Sequence, residues 1–161
     1  MCAFAVVVTA CGGTQTSQGT ATPSTSPSPS AGGLAPPDLV GTYATTLKTS
    51  DYPPSPHPEL VDSSSDWTIT ISNSGAPGGG PALTIRNGKK GPLDTISFSA
   101  QGKELLLHRV ACPSNENASY EEMYSYQLTG SMLTFSTIRD QCSDHVLQTI
   151  LTSEPWNKTG S

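Results

Sequence analysis

Charge is missing from the start of this chain: no Lys, Arg, Asp or Glu precedes Asp38. All 8 basic and 13 acidic residues lie at or beyond it, so the net charge of -5 belongs to residues 38–161. The cations there are scattered. Binding phosphates requires clustered Lys and Arg, so nucleic acid is excluded as a partner, and so is adhesion to anionic lipid headgroups. No run approaches the ~20 apolar residues of a membrane-spanning helix. Only 34% of residues are hydrophobic and 6% aromatic, a lean composition in which part of the chain does not pack.

Catalytic signatures are missing too. There is no Gly-x-Ser-x-Gly elbow and no phosphate loop, and no carboxylate pair is spaced for acid–base work. Gly78-Gly79-Gly80 runs into Pro81 and an alternating segment, which makes it a connecting loop. No two of His57, His108 and His145 have metal-ligand spacing, and no Cys pair is spaced for zinc. His57-Pro58-Glu59 with Asp51 and Asp62 could form a loop metal site, but solvated loop charges account for the group more simply. The expectation is a protein that is not an enzyme and carries no metal or cofactor.

What is present begins with Met1–Cys11, an uncharged apolar stretch ending Val8-Thr9-Ala10-Cys11. This resembles the lipobox of bacterial lipoproteins, which implies diacylglyceryl transfer to the Cys11 thiol, cleavage after the small Ala10, and fatty acylation. With no Lys or Arg before Cys11, residues 1–10 are expected to be part of a signal peptide whose start lies upstream. Residues 11–37 follow as a Ser/Thr/Pro/Gly linker without charge. It cannot bury enough apolar surface to offset its ordering entropy. As a flexible coil it would reach roughly 25–30 Å, stiffened by Pro23, Pro27 and Pro29. The expected placement is outside the cytoplasm, tethered to the cell membrane through the lipid on Cys11.

Residues 38–161 form the expected folded domain. Trp67, Ile69 and Ile71 alternate with Thr68, Thr70 and Ser72, the pattern of a strand with one apolar and one polar face. The same alternation marks Val40–Leu47, Leu83 with Ile85, Ile96 with Phe98, Leu105 with Leu107 and Arg109, Tyr124 through Leu128, and Leu133 through Thr137. Gln101-Gly102 and Thr129-Gly130-Ser131 read as turns. About seven or eight short strands at even spacing indicate an all-β antiparallel sandwich or barrel. One helix is expected over Cys142–Leu151, whose Val146, Leu147, Ile150 and Leu151 share a face, with Asp140 as its cap and Asp144 in its first turn. The Pro- and Ser-rich segment 48–65 is expected to cover an edge or a mouth.

Two stretches carry a family resemblance. Gly41-Thr42-Tyr43 resembles the Gly-x-Trp start of lipocalins and other calycin barrels, with Tyr for Trp. The C-terminal part is similar to small lipocalin-like bacterial lipoproteins: Tyr124-Ser125-Tyr126, Gly130, Leu133-Thr134-Phe135, Asp140-Gln141-Cys142, a short helix and Trp156-Asn157-Lys158, with His145 in place of the family's Arg. The resemblance implies a small antiparallel barrel in which Lys158 packs over the ring of Tyr43, with Trp156 beside them on the last strand.

The candidate site residues follow. Cys112 and Cys142 are expected to be joined, since thiols of an exported domain oxidise; a reactive thiol pair is the alternative. Closing that loop would contribute about 3.5 kcal/mol on the chain-entropy model. Tyr43, Trp67, Tyr124, Tyr126, Phe135 and Trp156 line either a ligand cavity or the core. Two functions are expected from this: a monomeric binding module for a small apolar or amphipathic ligand, or an interaction module that inhibits a cell-envelope hydrolase through an exposed loop, either residues 48–65 or residues 113–122.

Overall fold

The computed structural model describes residues 33–56, 58–61, 65–109, 112 and 120–161. Period-two alternation becomes eight strands: β1 (Gly41–Thr46), β2 (Asp66–Ser72), β3 (Ala82–Asn87), β4 (Gly91–Gln101), β5 (Glu104–Arg109), β6 (Tyr120–Thr129), β7 (Met132–Arg139) and β8 (Trp156–Gly160). Each pairs antiparallel with its neighbour, and β8 returns to β1, so the sheet closes into an up-and-down barrel. Closure removes free sheet edges. The architecture is consistent with a lipocalin-like fold.

Alternation decides which side chains face inward. Trp67, Ile69 and Ile71 of β2 are 0–1% exposed, and Leu83, Ile85, Ile96, Phe98, Leu105 and Leu107 continue the same inner face. Outward, threonines pair across strands: Thr42 hydroxyl to Thr70 and Thr84 to Thr95, each at 3.3 Å. The tight turns need glycine at positive φ, as at Gly102 (60°) and Gly130 (62°), each the first residue of a two-residue loop between paired residues, Gln101 with Glu104 and Thr129 with Met132.

Both ends of the barrel are covered. At one end lie the β2–β3, β4–β5 and β6–β7 turns. There residues 33–40 lie across the opening, with Leu39 fully buried and Ala35 nearly so. The Ala35 N–H donates to Asn73 Oδ1 (2.7 Å) and the Asp38 carboxylate pairs with Lys103 (3.6 Å). At the opposite end, here the distal rim, segment 48–65 contributes a 3-10 turn (Thr49–Asp51) and the short helix α1 (Pro58–Val61). Its Leu60 is fully buried in the core. Helix α2 (Val146–Thr152) connects β7 to β8 and buries Val146, Leu147, Ile150 and Leu151.

Three sequence expectations change. Helix α2 starts at Val146 rather than Cys142, because His145 takes a left-handed conformation (φ 50°) immediately before it. Asp140 and Asp144 are accordingly not its cap and first turn: Asp140 Oδ1 accepts from the Cys142 N–H (2.8 Å) and Asp144 Oδ1 from the Val146 N–H (3.1 Å), holding the turns that lead into it. Strand β4 starts at Gly91, before the segment marked by Ile96. Its Pro92 lacks an N–H and sits beside a register shift opposite Ile85–Arg86, where a ladder bond is already interrupted. The terminal Trp156-Asn157-Lys158 is strand, and it seals the barrel.

Candidate functional site

The barrel interior is the first place to look for a ligand site. Tyr43, Tyr124 and Trp156 are 0% exposed, Trp67 1%, Tyr126 4% and Phe135 6%, and all six belong to one contiguous apolar core. Such values mean that among the described residues the inward side chains present almost no surface for a water molecule to touch, from outside or from within. Side chains fill the lumen.

The polar tips of these aromatics are turned to structural work. Tyr43 Oη donates to the Leu39 carbonyl (3.0 Å), tying the N-terminal cover to the first strand. Tyr126 Oη donates to the Gly102 carbonyl (3.2 Å) in the β4–β5 turn. Tyr124 Oη donates to Glu122 Oε2 (2.8 Å), and Trp156 Nε1 to the Leu151 carbonyl (3.0 Å) at the end of α2. Burial raises the Tyr43 phenol above its ordinary value, with Asp38 adding to the effect, and burial does the same for Tyr126. Both remain protonated donors. Tyr124 meets Phe135 edge to face, ring centroids 6.5 Å apart.

The first and last strands meet as the resemblance implies. Tyr43 pairs opposite Lys158, whose ammonium lies 5.5 Å from the ring centroid and donates to the Val40 carbonyl (2.9 Å). Gly41 is required beside them. A Cβ there would come within 2.6 Å of the Lys158 side chain and 2.7 Å of the Gly160 carbonyl, on a backbone with φ of 149°.

At the distal rim, Cys112 and Cys142 form a disulfide with Cα atoms 5.7 Å apart, joining the β5–β6 connection to the approach to α2. Both cysteines are buried, and so is Glu122, which faces them from β6. Around the rim, Lys48 pairs with Glu154 (2.6 Å) and His145 Nδ1 with Asp140 (2.8 Å). The Asp140 carboxylate raises His145 above its ordinary value of 6.5. On the outer wall, Glu121 bridges His108 and Arg139. An open groove of about 630 Å³ runs outside the wall where β1, β2 and the Glu154–Pro155 corner meet, with Met132 at its edge. Among the described residues of segment 48–65, Val61 is an exposed large apolar side chain (58%), next to the anchored Leu60.

Cys11, residues 12–32 of the expected linker, His57, Asp62 and residues 113–119 lie outside the described residues, whereas linker residues 33–37 belong to the cover of the barrel, with Ala35 buried. Glu122 is the functional candidate that sequence reasoning missed. The alternation that turns Tyr124 and Tyr126 inward extends back two residues to it, so the pattern carried the signal. Among the described residues no helix is long and apolar enough to cross a membrane. No protein-family model, curated protein sequence or solved structure matches the chain.

Proposed function

We propose that this chain is a membrane-tethered interaction module: a lipid on Cys11 and the 11–37 linker hold a lipocalin-like barrel outside the cytoplasm, and its distal rim engages a protein of the cell envelope. The filled lumen carries this reading. A ligand-binding barrel needs a hollow interior, and here large aromatic and aliphatic side chains occupy it while both ends are covered. The described chain starts at residue 33 in the N-terminal cover, at the end of the barrel opposite the distal rim, so the rim faces away from the tether. That rim offers an exposed Val61 held on a fully buried Leu60, an apolar tip on a fixed base. An exposed apolar side chain on an anchored segment suits contact with the cleft of a cell-envelope hydrolase, which makes inhibition the activity to assay.

The test joins binding to mass. The purified domain is expected to show its apo mass under native conditions, to retain and inhibit an envelope hydrolase, and to lose both effects in Val61→Arg. A co-purified lipid or other small ligand in stoichiometric amount would overturn the reading in favour of a small-ligand carrier. Hydrolase binding unchanged in Val61→Arg would remove the rim from it.

A further inference from the structure

Strand β6 turns three side chains inward in succession, and the first is a carboxylate. Glu122 is 0% exposed, at a position where an apolar side chain would pack without a desolvation cost. Its carboxylate lies with the sulfurs of Cys112 and Cys142 in a group whose potential ligand atoms are all within 4.8 Å of one another. Tyr124 Oη donates to Glu122 Oε2 at 2.8 Å and so fixes the carboxylate's orientation, as outer partners of metal-ligating carboxylates do.

We propose that the Cys112–Cys142 disulfide is the oxidised form of a redox-switched zinc site, in which both cysteine thiolates and the Glu122 carboxylate hold the ion. Two sulfurs and one carboxylate oxygen form a donor set suited to Zn²⁺, with one tetrahedral position left open. Zinc at ordinary bond lengths would place these donors roughly 3.3–3.8 Å apart, so the carboxylate needs only a small approach once the sulfurs have separated.

The chemistry balances with a dithiol as reductant. A dithiol delivers two electrons and two protons to the S–S bond, yielding two thiols while the donor becomes a disulfide. Zinc then displaces the two thiol protons. In the other direction, a disulfide-class oxidant takes two electrons from the two thiolates: its own S–S bond breaks to two thiols that take two protons from solvent, the Cys112–Cys142 S–S bond forms, and zinc leaves. The same position in the fold is thereby closed by a covalent link in oxidising surroundings and by a metal in reducing ones.

Cobalt serves as the spectroscopic probe. The oxidised protein is expected to bind none. After reduction with a phosphine and desalting under nitrogen, one Co²⁺ per chain is expected, with a sulfur-to-cobalt charge-transfer band, displacement by Zn²⁺ and release on oxidation by glutathione disulfide. Glu122→Gln keeps the shape and is expected to weaken the metal at least tenfold; Cys112→Ser is expected to abolish the charge-transfer band of a two-thiolate site. A reduced chain that keeps its strand spectrum without taking up cobalt overturns the proposal, and so does Glu122→Gln with unchanged affinity. If the reduced apo chain unfolds, the site requires that equimolar Zn²⁺ restore the strand spectrum; a chain that stays unfolded overturns the proposal equally. Where Glu122→Gln fails to fold, Glu122→Asp, whose shorter arm withdraws the oxygen, replaces it in the affinity comparison.

Discussion

The two tryptophans of the core are equally buried but differ at the indole nitrogen. Trp156 Nε1 donates to the Leu151 carbonyl, whereas Trp67 Nε1 has no acceptor among the described residues. Removing a partner from a buried pair leaves the other unsatisfied and costs about 1–3 kcal/mol. Trp156→Phe is therefore expected to destabilise the domain by that much more than Trp67→Phe, where the substitution also removes a donor that was buried without an acceptor. Urea unfolding of both variants checks the difference. Trp156→Ala is expected to cost about 3–5 kcal/mol, and Lys158→Ala only about 1 kcal/mol, from the cation over the Tyr43 ring. His145 supplies a pH dependence. Its folded-state pKa is raised chiefly by the hydrogen bond with Asp140, so the pair stabilises fully below the unfolded value near 6.5 and the contribution fades as pH rises through the higher folded value. The imidazole is 56% exposed, and solvent screening limits the effect to about 0.2–1 kcal/mol. Comparing melts below pH 6 and above pH 8 (roughly either side of the free imidazole) is expected to show this loss in the native chain and not in His145→Gln.

At the scale of elements, β8 is the shortest strand and has the largest share in closure. It pairs with β1 at three positions and with β7 at two. Deleting residues 154–161 also removes Trp156 from the core, so the truncated domain is expected not to reach a cooperative melt; an unmoved midpoint would refute the closed barrel. The disulfide ties the β5–β6 connection to the approach to α2 across 30 residues, and Cys112→Ala with Cys142→Ala is expected to cost about 2–4 kcal/mol in chemical unfolding. Strands were legible in the sequence wherever one face is buried, because period two is then enforced at every position: β2 reads directly as Trp67, Ile69, Ile71. The start of β4 was not, since Gly91-Pro92 carries the marks of a turn and only a register shift in the partner strand makes room for it. The start of α2 was not either, because a left-handed His145 leaves no periodicity to read. Glu122 escaped for a different reason: next to Glu121 it resembles a solvated pair, although the alternation back from Tyr124 puts it on the inner face, near Cys112 and Cys142.

For the whole molecule, address and architecture separate cleanly. The lipid on Cys11 belongs to the proposal, and Cys11→Ser expressed with a complete signal sequence is expected to shift the protein from the detergent phase to the aqueous phase; unchanged partitioning would refute the anchor. Among the described residues, the barrel's core, covers and closure are built from residues 33–161.

The N-terminal cover also determines how the domain bears a load. A partner held at the distal rim while the lipid stays in the membrane would pull on the chain at residue 33. That pull passes through the Ala35–Asn73 and Asp38–Lys103 links and the Lys158 grip on Val40 before it reaches β1. Strand β1 is bonded on both sides, at six positions to β2 and at three to β8. Tension along its axis loads both ladders in shear, so their bonds share the force and do not open one after another. Drawn from its N-terminus against the rim, the domain should resist as a rivet does; drawn apart across the two-position seam between β7 and β8, it should open like a zip.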